Sequence, residues 1–329
     1  MSAQPLLEIK DLETRFETDS GILRAVDGVS LSLNRGEILG LVGESGCGKS
    51  MTALSIMRLV PPPGKIVSGQ VLLEGKDILA MSDDDVRLLR GDRISMIFQE
   101  PMSALNPVFT VGDQVAEILR VHRGVDSRAA MNTAVTLLER VGIPDPDRRV
   151  REYPHQMSGG MQQRALIAMA AACEPDVLIA DEPTTALDVT VQAQILRLME
   201  DLIQETNSGA LLITHDLGVV AEITDRVCVM YAGVIVEMSP VEDLFEDPRH
   251  PYTIGLIESL PAPGRREFKA IPGAVPDLVN LPGGCRFHPR CPRAQRACVE
   301  EEPELVGSLT RGVRCLYPGQ EHAGLKREV

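Results

Sequence analysis

The stretch GESGCGKS, Gly43 to Ser50, fits the spacing G-x-x-x-x-G-K-[ST]. Its chemistry is phosphate binding. Glycines let the backbone wrap a polyphosphate with successive N–H groups pointing inward, and a following helix adds the partial positive charge of its N-terminus. In this pattern Lys49 reaches the β- and γ-phosphates and Ser50 ligates Mg²⁺. Gly43, Glu44, Ser45, Gly46, Cys47 and Gly48, with Met51 behind them, complete the nucleotide-binding set. The run VLIADEP, Val177 to Pro183, ends in two carboxylates. Asp181 suits the holding of Mg²⁺, directly or through water, and Glu182 suits orienting and polarising an attacking water.

A second anion-binding element follows from HQMSGGMQQRALIAMA, His155 to Ala170. Ser158, Gly159 and Gly160 open a long amphipathic helix, whose N-terminus attracts negative charge. The first phosphate loop does not need it, so it implies a second subunit.

Four of the seven cysteines crowd the C-terminal part as Cys285, Cys291, Cys298 and Cys315, spaced C-x5-C-x6-C-x16-C. No C-x-x-C pair is present, which weakens a zinc ribbon, and by spacing alone tetrahedral Zn²⁺ and a [4Fe-4S] cluster are equally served by four thiolates. Arg286, Arg290, Arg293 and Arg296 are expected to offset the thiolate charge, and His288 to stand beside the ligands. Cys47 lies in an electropositive loop that predicts sensitivity to oxidation, whereas Cys173 and Cys228 read as small hydrophobes.

These residues need elements to position them. Alternation in LLEIKDLETRF and AVDGVSLSL predicts half-buried antiparallel strands, and EILGLVG a buried strand leading into the phosphate loop. KSMTALSIMRLV predicts a helix that runs until PPPG stops it. Further strands are expected at GQVLLEG, ISMIFQ, DVLIAD, ALLITH and RVCVMYAG, with helices around 111–122, 128–141, 159–173 and 188–206. The fold class is therefore α/β: a parallel-sheet core with an antiparallel β subdomain and an inserted helical subdomain at about 101–175. The expected domains are 1–260 and a small irregular extension, 261–329, that carries the cysteines.

Composition limits the function classes. With 44% hydrophobic residues in 329, the chain can bury a large core, and a net charge of −14 argues against nucleic acid as a partner. Apolar runs such as ALLIT fall short of the roughly 20 residues that span a bilayer, which predicts a soluble chain in a reducing cytoplasm, where clustered cysteines serve metals more often than disulfides.

Taken together, the motifs resemble the nucleotide-binding subunit of ATP-binding-cassette (ABC) proteins, a P-loop NTPase fold. The family signature Leu-Ser-Gly-Gly-Gln stands here as Met157 to Met161, with methionine replacing the glutamine. The resemblance implies a Q-loop role for Gln99, as Mg²⁺ ligand and sensor of the reaction water; a D-loop role for Asp188, crossing a dimer interface; a γ-phosphate contact for His215; and adenine stacking for Phe16. FQEPMSALNPVFTVGDQ, ADEPTTALDVTVQAQIL, HPYTIGLIESLP and GCRFHPRCP further resemble the ATPase subunit of oligopeptide/dipeptide-type importers. That resemblance implies ATP hydrolysis, a related second ATPase subunit forming a heterodimer, two membrane permeases, an extracytoplasmic binding protein, a peripheral place on the cytoplasmic face, and a [4Fe-4S] cluster at the cysteines, with Zn²⁺ as the alternative. Nickel and glutathione importers share this ATPase type, and a soluble ABC ATPase acting on DNA or ribosomes is the competing class.

Overall fold

The computed structural model describes residues 4–185, 187–260 and 270–319. Parts of the expected C-terminal extension, 261–269 and 320–329, and Ala186 of the D-loop motif lie outside the described residues. The chain divides into two compact units, one of residues 1–32, 39–79 and 214–329, the other of 33–38 and 80–213.

In the first unit, β1 (Leu7–Thr18), β2 (Gly21–Leu33), β4 (Lys65–Leu73) and β5 (Lys76–Asp77) form a sheet in the order β2-β1-β4-β5. β1 and β4 run antiparallel. β3 (Ile38–Val42) pairs in parallel with β9 (Arg226–Tyr231), and β10 (Val234–Pro240) adds antiparallel to β9. β3 and β9 are buried along their whole length, which is why they read as continuous apolar runs. Tyr231, Tyr252, Phe287 and a set of valines form the core against which the C-terminal part packs.

α1 (Lys49–Ile56) starts directly after the phosphate loop. It is shorter than the sequence predicts, ending at Ile56, before Pro61. α9 (Leu217–Ile223), α10 (Val241–Glu246) and α11 (Pro251–Glu258) complete the helices around β9 and β10. The C-terminal part is less irregular than expected. It carries α12 (Arg296–Glu300) and two short strands, β11 (Val306–Gly307) and β12 (Gly312–Val313), and β12 pairs with β10 at Glu237↔Val313. Residues 270–284 contain no helix or strand, as their proline and glycine density predicts.

In the second unit, β6 (Ile94–Ile97), β7 (Val177–Asp181) and β8 (Gly209–Thr214) are parallel neighbours. Between β6 and β7 the chain makes α3 (Pro101–Ala104), α4 (Val111–Arg123), α5 (Ser127–Arg140), α6 (Pro146–Arg149) and α7 (Gly159–Ala171). Thr110, Asp126 and Ser158 start α4, α5 and α7 as side-chain N-caps, each satisfying an otherwise orphaned N–H. α2 (Asp83–Leu89) escaped the sequence reading, although Ser82 caps it and three aspartates fill its first turn. Asp188 caps α8 (Val189–Thr206). Among the described residues no helix is long and apolar enough to cross a membrane.

Candidate functional site

The phosphate loop is shaped by two close approaches. A Cβ on Gly43 would stand 2.2 Å from the Met230 carbonyl oxygen, and one on Gly48, at φ +111°, would stand 2.2 Å from that of Ala25. Only glycine fits either place. Lys49 is buried, and its Nζ donates to the carbonyl oxygens of Gly43 at 2.8 Å and Glu44 at 3.0 Å. Its ammonium is thus held at the loop, where a polyphosphate would meet it. Ser50 lies half-buried in the first turn of α1. Met51 sits behind it on the same helix, and Ser45 and Gly46 are the exposed loop residues. The half-buried Phe16 ring lies against Gly64, where an added Cβ would come within 2.5 Å of it.

Cys47 corrects the expectation of an oxidation-prone thiol. It is fully buried, and burial pushes its thiol up more strongly than Lys49 pulls it down. A protonated, enclosed sulfur is a poor nucleophile.

In the second unit Asp181 is buried as the last residue of β7. Glu182, just past the strand, adopts φ +48°, a left-handed conformation that costs energy for a non-glycine residue. Its N–H donates to the Ile213 carbonyl at 2.8 Å, while Oε2 accepts from Gln99 Nε2 at 3.0 Å and Thr185 Oγ1 at 2.9 Å. Gln99 does not end a strand as expected. It is exposed, two residues beyond β6. With its amide nitrogen on Glu182, the carbonyl oxygen is the atom it can offer to a cation. Asp181, Ser50 and Gln99 all present hard oxygen donors, the type that Mg²⁺ takes.

Ser158 and Gly159 are exposed at the start of α7, and Ser158 Oγ accepts from the Met161 N–H. Gly160 lies against Val191. Gln162, which the sequence reading passed over, is buried and donates to the carbonyls of Pro154 at 2.8 Å and Met157 at 3.3 Å, fixing the approach to this helix start. Asp188 is exposed, with its carboxylate on the Val191 N–H. In the first unit His215 is exposed between Thr214 and Asp216, the N-cap of α9.

Cys285, Cys291, Cys298 and Cys315 line one cavity, together with His250 and His288. Burial pushes the thiols of Cys285, Cys291 and Cys315 up, the last to about 11, and neighbouring cysteines add to each shift. Backbone N–H groups oppose it: those of Phe287, Arg293 and Tyr317 point at Cys285, Cys291 and Cys315, each two residues downstream. That of Gln295 lies 3.5 Å from Cys298 Sγ. Donors aimed at sulfur favour thiolate, so the set fits a metal in ligand type and second-sphere bonding. Among the described residues, however, no group of three or more His, Cys, Asp or Glu is placed to hold a metal ion.

The arginines correct another expectation. Only Arg293 faces the thiols. Arg286 binds Asp27, Glu302 and the Ala232 carbonyl, and Arg296 binds Glu300 on its own helix. Arg290 reaches the phosphate loop and pairs with Glu44. His288 is held by the Cys285 carbonyl at 2.9 Å. No local signal in the sequence marks a pair 246 residues apart.

A family model described as ABC transporter matches residues 26–185, and one described as oligopeptide/dipeptide transporter, C-terminal region, matches residues 236–298. A Brucella melitensis protein described as a peptide import ATP-binding protein is 54% identical, covering 96% of this chain and 98% of its own. The chain belongs to the ABC transporter ATP-binding proteins. The dipeptide transport ATP-binding protein DppD of Bacillus subtilis is 49% identical, over 99% of both chains. Among solved structures, a dimeric ATP-binding cassette in a post-hydrolysis state, bound to ADP and Pi, matches with TM-score 0.65 and 27% identity over 71% of this chain and 98% of that one. The fold is the P-loop ABC cassette, and the chain is an ABC-type ATPase.

Proposed function

We propose that this chain powers the uptake of oligopeptides or dipeptides as one of two related ATPase subunits on the cytoplasmic face of two membrane permeases, fed by an extracytoplasmic binding protein. The observation that carries the reading is the C-terminal match to peptide transporters on the same chain as an ABC ATPase cassette. Relatives named for peptide, oligopeptide and dipeptide transport, each spanning nearly all of the chain, support it. The cassette is assigned to 1–260, with its helical insertion at about 101–175, and the extension to 261–329.

In this reading each ATP lies between loop 43–50 of one subunit and the Ser158, Gly159 and Gly160 helix start of the other. The exposure of Ser158 and Gly159 in the single chain supports such use. Phe16 stacks on adenine, and Asp188 crosses to the partner subunit. Glu182 orients a water whose oxygen attacks the γ-phosphorus, and the bond to the bridging oxygen breaks, leaving ADP and phosphate. The water's proton passes to the Glu182 carboxylate, whose Oε2 Gln99 and Thr185 hold in place. Lys49 and His215 stabilise charge on the γ-phosphate. Bound Mg²⁺, held by Ser50, Gln99 and Asp181, would neutralise phosphate charge. Exposed Phe98, Val108 and Phe109, flanking Gln99 in the chain, suit a permease contact.

We assign the cysteine cavity to a [4Fe-4S] cluster. Four cysteines lining one cavity are the ligand type and number that such a cluster takes, and Zn²⁺, which also accepts four thiolates, is the alternative. Uptake assays with the assembled complex test the function. Peptide-stimulated ATP hydrolysis with peptide accumulation is expected. Uptake of nickel or glutathione in place of peptide would overturn the substrate class, and full activity without membrane subunits would overturn transport.

A further inference from the structure

Glu44, the second residue of the phosphate loop, brings a negative charge to a place built for polyphosphate. Three of its groups are held at once. Its N–H donates to Tyr252 Oη at 2.8 Å, its carbonyl accepts from Lys49 at 3.0 Å, and its carboxylate takes two parallel bonds from Arg290, at 2.6 and 3.0 Å.

Arg290 is built for this contact. Its side chain is 4% exposed against 32% for Glu44. Nε donates to the Pro272 carbonyl at 2.8 Å, and the guanidinium lies 5.7 Å from the Tyr231 ring centre and 6.0 Å from that of Phe287. Tyr231, Tyr252 and Phe287 pack ring to ring beneath it, with centroids 4.7 to 5.4 Å apart. A planar fork fixed on two sides loses little freedom on binding a carboxylate, so its geometry is transmitted to the loop. Arg290 also precedes Cys291 directly. The segment that brings cysteines to their cavity therefore brings this guanidinium to Glu44.

We propose that Arg290 is a positioning residue of the phosphate loop: it neutralises Glu44 and holds the loop in its nucleotide-binding form, which makes the cysteine segment a working part of the ATP site. The inference rests on the reading of residues 43–50 as the ATP loop. It does not depend on whether the cysteines hold a metal. Without Arg290, the phosphate loop would carry an unneutralised carboxylate and one of the three ties on Glu44 would be lost.

A double-mutant cycle on the full chain separates this from a purely structural role. The readouts are the Kd of a fluorescent non-hydrolysable ATP analogue and the thermal midpoint. Arg290→Ala is expected to weaken the analogue about tenfold, or about 1.4 kcal/mol, when Glu44 is present. The same substitution made on Glu44→Gln is expected to cost under about twofold, because no carboxylate remains to be neutralised. Arg290→Lys keeps the charge without the fork and provides a second measurement should the alanine variant fail to fold; a loss of about threefold is expected. Equal losses in both Glu44 backgrounds, unchanged affinity in Arg290→Lys, or a lower midpoint with unchanged affinity would overturn the proposal. Failure of the unsubstituted chain to bind the analogue would instead end the ATP-loop reading on which it rests.

Discussion

The amide nitrogen of Gln99 stands 3.0 Å from Oε2 of Glu182, and the hydroxyl of Thr185 reaches the same oxygen at 2.9 Å. Two donors on one carboxylate oxygen set its direction. Held at φ +48° and bonded through its N–H to Ile213, Glu182 is constrained in backbone as well as side chain. Strain of this kind persists when neighbouring bonds over-determine the residue.

Glu182→Gln should keep ATP binding while turnover falls by about 10²-fold or more, the usual scale for a positioned base. Phosphate release by the assembled complex, beside analogue affinity, checks both halves. Near-normal turnover would remove Glu182 from the mechanism.

Thr185→Val removes one of the two donors at little change in shape. Turnover should fall by roughly three- to tenfold with KM for ATP nearly unchanged, since about 1 kcal/mol of hydrogen bonding acts on orientation rather than on binding. Steady-state kinetics decide it, and an unchanged kcat would count against the hydroxyl.

Cys47 should resist alkylation. Burial raises its thiol above the ordinary 9.0, so at pH 8 it is protonated and enclosed in the folded chain. N-ethylmaleimide at pH 8 should spare it until urea is added, as read by peptide mass mapping. The sign of the linkage follows: the folded state keeps this proton longer than the unfolded state, so its stabilising share is whole well below pH 9 and is lost as pH rises through and beyond it.

Anaerobic purification should yield a brown protein with about four irons per chain. Cys291→Ser should lose that iron and colour by metal analysis and absorbance. A colourless chain with one zinc, or with no metal, would end the cluster reading.

The motifs legible in the sequence are those whose parts lie within one turn of chain. GESGCGKS, VLIADEP and the Ser158 helix start each combine a strand end or cap with its chemistry in eight residues or fewer, and local backbone rules govern them. The same locality exposed buried β3, β7, β8 and β9 as apolar runs. It missed α2, whose face buries little beyond Val86 and so carries a weak periodic signal, and β10, where continuous burial of mixed residues such as Glu237 and Met238 erases alternation.

The amino-acid sequence alone determined the phosphate loop, the carboxylates at the end of β7, the signature helix and the four cysteines, because each is written within a short stretch of chain. Only the tertiary structure decided which side chains serve them. Gln99 reaches Glu182 across 83 residues, and Arg290 reaches Glu44 across 246 rather than offsetting thiolates nearby. The physical reason is burial: a guanidinium taken out of water needs a partner with matching geometry, and packing of the whole unit, not proximity in the chain, brings Glu44 to that position.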